Sequence, residues 1–392
     1  MTGTLDTESV TMKLRKFLGY ALGGLLGLFV IATAGALTWR ASLQRDTRAA
    51  RAHIDAAVGV DELFTTAIGG ISQWFHVRGV HRSDPVLLWL HGGPGTPMMP
   101  FEGMFQRALE EHFIVVQWDQ RGAGKTYYEN PTLDLAATVD YALMVKDASA
   151  VVEMVKRRYG KERIVVVGHS WGSILGIGLL RARPDDIAAY VGTGQVVDIT
   201  ENEAVGYRET LAEARRRNDT AAITALEALA PYPEANGKTV GPKTTVLHEW
   251  EQTYGTAVSR RYKGSIRNVL LRNALDSPEY SLREIAYFLK DLDPLWPRLL
   301  ADMDRFKAVN FGDDYPMPMF LFLGRHDLQT PSMLAASWLG TIRAPVKEVV
   351  WFEESAHSPM VDESEAFAKA LIERVRPHAM GKQVPSASTD SR

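Results

Sequence analysis

The sequence contains Gly168-His169-Ser170-Trp171-Gly172, a serine framed by glycines two positions to each side. It follows the apolar run Arg163–Val167 (RIVVV) and precedes the helical pattern Ser173–Leu180. A G-x-S-x-G between a strand and a helix is a nucleophile elbow, whose tight turn holds the hydroxyl clear of the backbone. The helix start behind it favours developing negative charge. A serine hydroxyl is weak at neutral pH, so it needs a base, and the base needs an orienting acid. Of the ten histidines, His357 in Glu354-Ser355-Ala356-His357-Ser358-Pro359 follows the final apolar run, and Asp327 in Gly324-Arg325-His326-Asp327 follows Met319–Leu323. The order Ser170, Asp327, His357, each just beyond a strand end, suits a catalytic triad. A tetrahedral intermediate also needs amide donors. Trp171 supplies one, and Gly93 in His91-Gly92-Gly93-Pro94-Gly95 is the better candidate for the other, with Gly92 second. His91 is expected to brace that loop rather than move protons.

The elements that must carry these residues are legible as alternating runs. Phe64–Ala67 and Gln73–Val77 flank a Gly-Gly turn and read as a hairpin. Val86–Leu90, Phe113–Trp118, Arg163–Val167, Ala188–Gly192, Met319–Leu323 and Val346–Phe352 are short and mostly apolar, as in strands buried on both faces of a parallel sheet. Helical segments such as Asp147–Arg158 lie between them, giving an α/β class. From Val196 to Lys307 no convincing strand appears. Thr200-x-x-Glu203 and Ser281-x-x-Glu284 fit capping boxes there, so the stretch reads as an inserted helical cap.

Taken together, HGGPG, VVQWDQRGAGKT, GHSWGS, GRHD and SAHSPM resemble the proline iminopeptidase branch of the α/β-hydrolase superfamily over roughly residues 60–376. The resemblance implies a mostly parallel eight-stranded sheet with a helical cap, serine hydrolysis, and removal of an N-terminal residue, often proline, from peptides or amides. Carried over, Ser170 is the nucleophile, His357 the base and Asp327 its partner. The chain departs from that pattern at His169, where strict prolyl aminopeptidases usually carry glycine, and in having an apolar N-terminal segment.

An exopeptidase also needs a carboxylate for the substrate's ammonium group. The family takes such acids from its cap, where Glu201, Glu203, Glu249 and Glu251 are the candidates. Each has a plainer reading as a capping or solvated charge. Trp250, Tyr254 and Trp296 either line an acyl pocket or pack the cap. Gly122-Ala123-Gly124-Lys125-Thr126 mimics the end of a phosphate loop, but that motif needs glycine where Asp119 stands. No metal-ligand spacing is present, and no cofactor is expected. Epoxide hydrolysis and dehalogenation would need a carboxylate in place of Ser170. An aminopeptidase, a carboxylesterase or lactonase, and a non-catalytic binding protein remain as readings, with a small peptide, amide or ester as the partner.

The 392 residues are 46% hydrophobic and 23% charged, with a net charge of −3 and no cysteine. That is a globular composition without disulfides, thiolate metal sites or a cysteine nucleophile, and without the basic excess of a nucleic-acid binder. Phe17–Trp39 is an uncharged apolar run, long enough for the roughly 20 residues that a membrane span requires. It reads as an uncleaved anchor, with a cleaved signal peptide at Ala32-Thr33-Ala34 as the rival. The expected organisation is a polar lead (1–16), an anchor (17–39), a linker (40–58), a first core segment (59–195), the cap (196–308), a second core segment (309–376) and a disordered tail (377–392).

Overall fold

The computed structural model describes residues 7–234, 237–239, 241–262, 266–289 and 297–381. Trp296 and most of the expected tail lie outside these residues. The chain divides into two units, Met1–Ala50 and Arg51–Arg392. The first is built on helix α1 (Thr7–Arg51). Its apolar side chains face no protein core: Phe17 is 68% and Ile31 70% exposed. The 23-residue run within it spans about 34 Å at 1.5 Å per residue, against a hydrocarbon core of roughly 30 Å. The helix is long and apolar enough to cross a membrane, as an anchor or a signal sequence would be.

In the second unit, β1 (Val60–Ile68), β2 (Ile71–Gly79), β3 (Val86–Leu90), β4 (Ile114–Asp119), β5 (Ile164–His169), β6 (Ile187–Thr193), β7 (Met319–Gly324) and β8 (Lys347–Phe352) form one sheet. Their spatial order is β1-β2-β4-β3-β5-β6-β7-β8. The first three in that order pair antiparallel and the others parallel. The central strands β3, β5, β6 and β7 are mostly apolar because both faces are covered. In β3, Leu88 and Leu90 pack with helices α2 (Tyr141–Tyr159) and α3 (Trp171–Ala182), while Leu87 and Trp89 pack with Phe105, Leu109, Phe367 and Leu371 on the other face. Helix α2 starts where the Asp140 carboxylate accepts the Leu143 amide (2.8 Å) and ends at Gly160 in the left-handed region (φ 63°).

Between β6 and β7 the described residues of the insertion are helical. Helices α4 (Ile199–Arg216), α5 (Thr220–Glu227) and α6 (Pro242–Tyr254) share a small core of their own, including Leu211, Leu226, Leu247 and Tyr254. Helices α7 (Ile266–Asp276) and α8 (Pro297–Asp304) complete the cap. The Ser281–Glu284 capping box is formed. The expected box at Thr200 is not. Helix α4 starts earlier, at Asp198, whose carboxylate accepts the Glu201 amide and pairs with Lys307 at 2.7 Å. Glu203 is thereby freed to face the interior of the cap.

Candidate active site

The strand β5 ends at His169, and the next residue, Ser170, is both the turn and the cap of α3. Its backbone is held at φ 55°, ψ −122°, a conformation costing about 1–3 kcal/mol that persists only when its surroundings impose it. They do so here. The Ser170 amide donates to the Thr193 carbonyl (3.0 Å), and the Ser173 hydroxyl donates to the Ser170 carbonyl (2.7 Å). A side chain on Gly172 would collide with the Leu90 carbonyl oxygen of β3. The elbow thus needs glycine for close approach, as well as for the turn.

His357 and Asp327 come from the loops after β8 and β7. His357 Nδ1 lies 2.9 Å from Asp327 Oδ2. Both side chains are buried. Thr330 fixes the acid twice, donating from its amide to Oδ1 (2.9 Å) and from its hydroxyl to Oδ2 (2.7 Å). Among the described residues His357 Nε2 is buried without a hydrogen-bond partner, and His357 lines one cavity with Ser170. Gly194 (φ 52°) passes so close to the His357 ring that a β-carbon there would strike it. His169 Nε2–H donates to the His357 carbonyl (3.1 Å), and the two rings are 4.9 Å apart. Burial, with the neighbouring His357 second, holds His169 down at about 3, so it is neutral. Sequence reasoning missed Thr330 and Gly194, and it noticed His169 only as a departure.

The glycine loop after β3 reaches the same place. His91 Nδ1–H donates to the Gly92 carbonyl (2.9 Å), and His91 Nε2 accepts the Gln120 amide (3.2 Å). Burial holds His91 down at about 4, leaving it a neutral brace as expected. Gln120 in turn accepts the Trp171 indole N–H at 3.2 Å. Gly93 (φ 111°) and Trp171 line one cavity beside Ser170. Trp171 is the first residue of α3, so its amide has no acceptor within the helix.

The model of the alpha/beta hydrolase family matches residues 87–370. The chain belongs to this family. Over 316 residues it is 30% identical to the "Probable aminopeptidase YbaC" of Bacillus subtilis (strain 168), covering 80% of this chain and 95% of that one. A "Probable proline iminopeptidase" of Streptomyces coelicolor is 34% identical over 128 residues, 32% of this chain and 37% of the relative. In fold, the hydrolase superposes on the crystal structure of a proline iminopeptidase from Mycobacterium smegmatis with a TM-score of 0.58. That match has 18% identity and covers 82% of this chain and 99% of the other.

Two cavities meet at Ser170 of this hydrolase. One, of about 220 Å³, is lined by apolar side chains, among them Met98, Phe101, Met104, Val269 and Leu270. The other, of about 270 Å³, has a mixed wall: Val196, Ile199, Leu300 and Met303 beside Glu203, His248, Thr239, Thr244 and Thr330. Glu203 accepts from the Tyr232 hydroxyl, and its Oε1 lies 3.2 Å from His248 Nε2. Burial foremost, and then Glu203, raise the Tyr232 phenol far above its ordinary range. Glu251 is fully buried, its Oε2 3.8 Å from His248 Nε2.

The structure separates the four cap acids. Glu203 lines the cavity and Glu251 lies behind His248. Glu201 is exposed in the first turn of α4, and Glu249 is exposed on α6. Trp250 stacks beside Tyr254 (ring centroids 6.0 Å apart) in the cap's own core rather than at the site. These three are corrected to surface and packing positions: α6 turns Leu247 and Glu251 inward, which leaves Glu249 outside. His248, which sequence reasoning missed, was marked by its spacing of three from Glu251, a same-face pair on a helix.

The phosphate-loop mimic is structural. Arg121 pairs with buried Asp147 (2.7 Å), and Lys125 pairs with Glu284 (2.7 Å) and lies over the Trp74 ring. A second acidic group, His76 with Glu102 and Glu279, could hold a cation by spacing. The Arg51 guanidinium already bridges Glu102 (2.7 Å) and Glu279 (2.9 Å).

Proposed function

We propose that this chain is a membrane-anchored serine hydrolase of aminopeptidase type, releasing N-terminal residues from short peptides or aminoacyl amides. Ser170 Oγ attacks the carbonyl carbon while His357 Nε2 takes its proton, and Asp327 holds the imidazolium that forms. The Gly93 and Trp171 amides face the oxyanion. His357 then protonates the leaving amine, and water, activated by the same imidazole, clears the acyl-serine. The observation that carries the amino-terminal specificity is Glu203, a carboxylate in the wall of the cavity that also holds Ser170. A carboxylate there gives a substrate ammonium a charge-assisted hydrogen bond. The name and coverage of the Bacillus subtilis relative support the same reading. Residues 17–39 serve as the anchor.

Labelling with a fluorophosphonate tests the nucleophile: the full chain is labelled and Ser170→Ala is not. An unlabelled but folded wild type would instead support a binding protein on a hydrolase scaffold. A second reading, a carboxylesterase or lactonase, draws on the apolar cavity, which suits an acyl or alcohol chain. It predicts ester turnover without any benefit from a free amine.

A further inference from the structure

The cavity lined by Glu203 holds more ionisable groups than amine binding requires. Glu203 from α4 and Glu251 from α6 both face His248, at 3.2 and 3.8 Å from its Nε2. Glu203 and Glu251 are buried, and His248 is 29% exposed, at the wall of the cavity shared with Ser170. Among the described residues, the further ionisable groups near His248 include Tyr232, bonded to Glu203, and Asp327 from the loop after β7. A buried carboxylate already paired with an imidazolium has no net attraction for a second cation.

We infer that His248 is a specificity-determining, proton-exchanging residue: a substrate ammonium that binds at Glu203 expels one proton from the His248–Glu251 pair. This rests on the aminopeptidase reading and deepens it. The proton count balances. Before binding, the three groups carry two protons between them and no net charge. The ammonium brings one positive charge, one proton leaves for solvent, and the pocket is neutral again. The surroundings of His248 and Glu251 agree with this count. Burial, the largest single influence, would lower His248, but the carboxyl groups around it, Glu203 first and then Glu251 and Asp327, together lift the imidazole to about 9. Burial raises Glu251 to about 8, opposed by His248 and reinforced by Glu203 and Asp327. Both protons are therefore present near neutrality, and either can leave when a cation arrives. His248 thus sets how strongly protons compete with cationic substrates.

The test is calorimetric titration of alanine amide and proline amide into the full chain in detergent, carrying Ser170→Ala, at pH 6.5 in phosphate and in Tris. The difference in heat between the buffers counts protons. We expect about one proton released per ligand, and near zero when His248→Asn is added, because two carboxylates can share one proton and accept the cation without exchange. In turnover, KM for a free-amine arylamide falls up to about tenfold from pH 6 to pH 7, a one-proton linkage, and His248→Asn flattens that slope. His248→Lys, a fixed cation, raises KM from pH 6 to pH 8. A merely structural role for His248 would shift kcat or KM without moving the proton count. Binding without proton release, or equal release in wild type and His248→Asn, overturns the inference and leaves the aminopeptidase reading standing. Failure of every amino amide to bind overturns both.

Discussion

His169 Nε2–H donates to the backbone carbonyl of His357 at 3.1 Å, so the residue before the proposed nucleophile holds the loop that carries the proposed base. The bond joins Ser170's neighbour to the His357 loop through protein outside the proposed proton-transfer pair. His169→Ala should lower kcat by about tenfold with a smaller change in KM, since a hydrogen bond of about 1 kcal/mol is lost where alignment matters. His169→Gln, which can still donate, should recover part of it. A kcat unchanged in His169→Ala would show that the loop positions itself without the bond.

Thr330 donates twice to Asp327 and approaches His357 Nδ1 at 3.1 Å. Thr330→Val keeps the shape and removes the hydroxyl. Bonds to a buried carboxylate contribute about 1.5–3 kcal/mol, so kcat should fall about tenfold or more with the fold intact. Circular dichroism together with single-turnover acylation checks this; wild-type acylation would contradict it.

Gly194→Ala places a methyl group against the His357 ring and on a left-handed backbone. An alanine there costs on the order of 1–2 kcal/mol before any clash. We expect at least a tenfold loss of kcat, with fluorophosphonate labelling slowed in proportion. Normal labelling would mean that the His357 loop moves aside without cost.

Stability should fall in mild acid. His91 and His169 are held down at about 4 and about 3, below the ordinary 6.5, so the unfolded chain takes protons that the folded one refuses. Their neutral burial is no handicap above pH 6.5, and stability declines as pH falls below it. The slope is at most about 1.4 kcal/mol per pH unit for each histidine. His76 runs the other way. Burial opposes its charge, but Glu102 and Asp61 raise it to about 9, so its contribution is complete below 6.5 and is lost as pH rises through 9. Melting temperature from pH 4 to pH 9.5 tests both limbs; a flat profile down to pH 4.5 would contradict the first.

Much of this hydrolase is legible in its sequence because parallel strands buried on both faces are written as apolar runs. Val86–Leu90 reads with its observed limits. Other strands extend past the apolar run at their C-terminal ends, where Asp119 and His169 belong to the ladder but carry polar work. The edge strand β1 begins before the Phe64–Ala67 run, at Val60, because the charged Asp61 and Glu62 break the apolar pattern on a strand whose alternate residues meet solvent. Ser170, Asp327 and His357 stand out because each follows a strand that announces itself. The cap acids do not. Glu201 and Glu203 sit on one helix with similar neighbours, and only the docking of that helix decides which faces Ser170. His248 and Thr330 each have a near partner in the chain, Glu251 and Asp327, but their other partners, Glu203 and His357, lie far away, and no local pattern encodes those pairings.

The central claim is tested most directly by the rates at which the purified full chain releases arylamine from free-amino alanine and proline p-nitroanilides and from their N-acetylated forms. The amino-terminal reading predicts a preference of about 100-fold or more in kcat/KM for the free amine, as expected for one buried charge-assisted contact of about 3 kcal/mol. Ser170→Ala should abolish turnover, and Glu203→Gln should erase most of the preference. Equal rates on free and acetylated substrates, or rapid p-nitrophenyl ester cleavage with no turnover of any free-amino anilide, would contradict it.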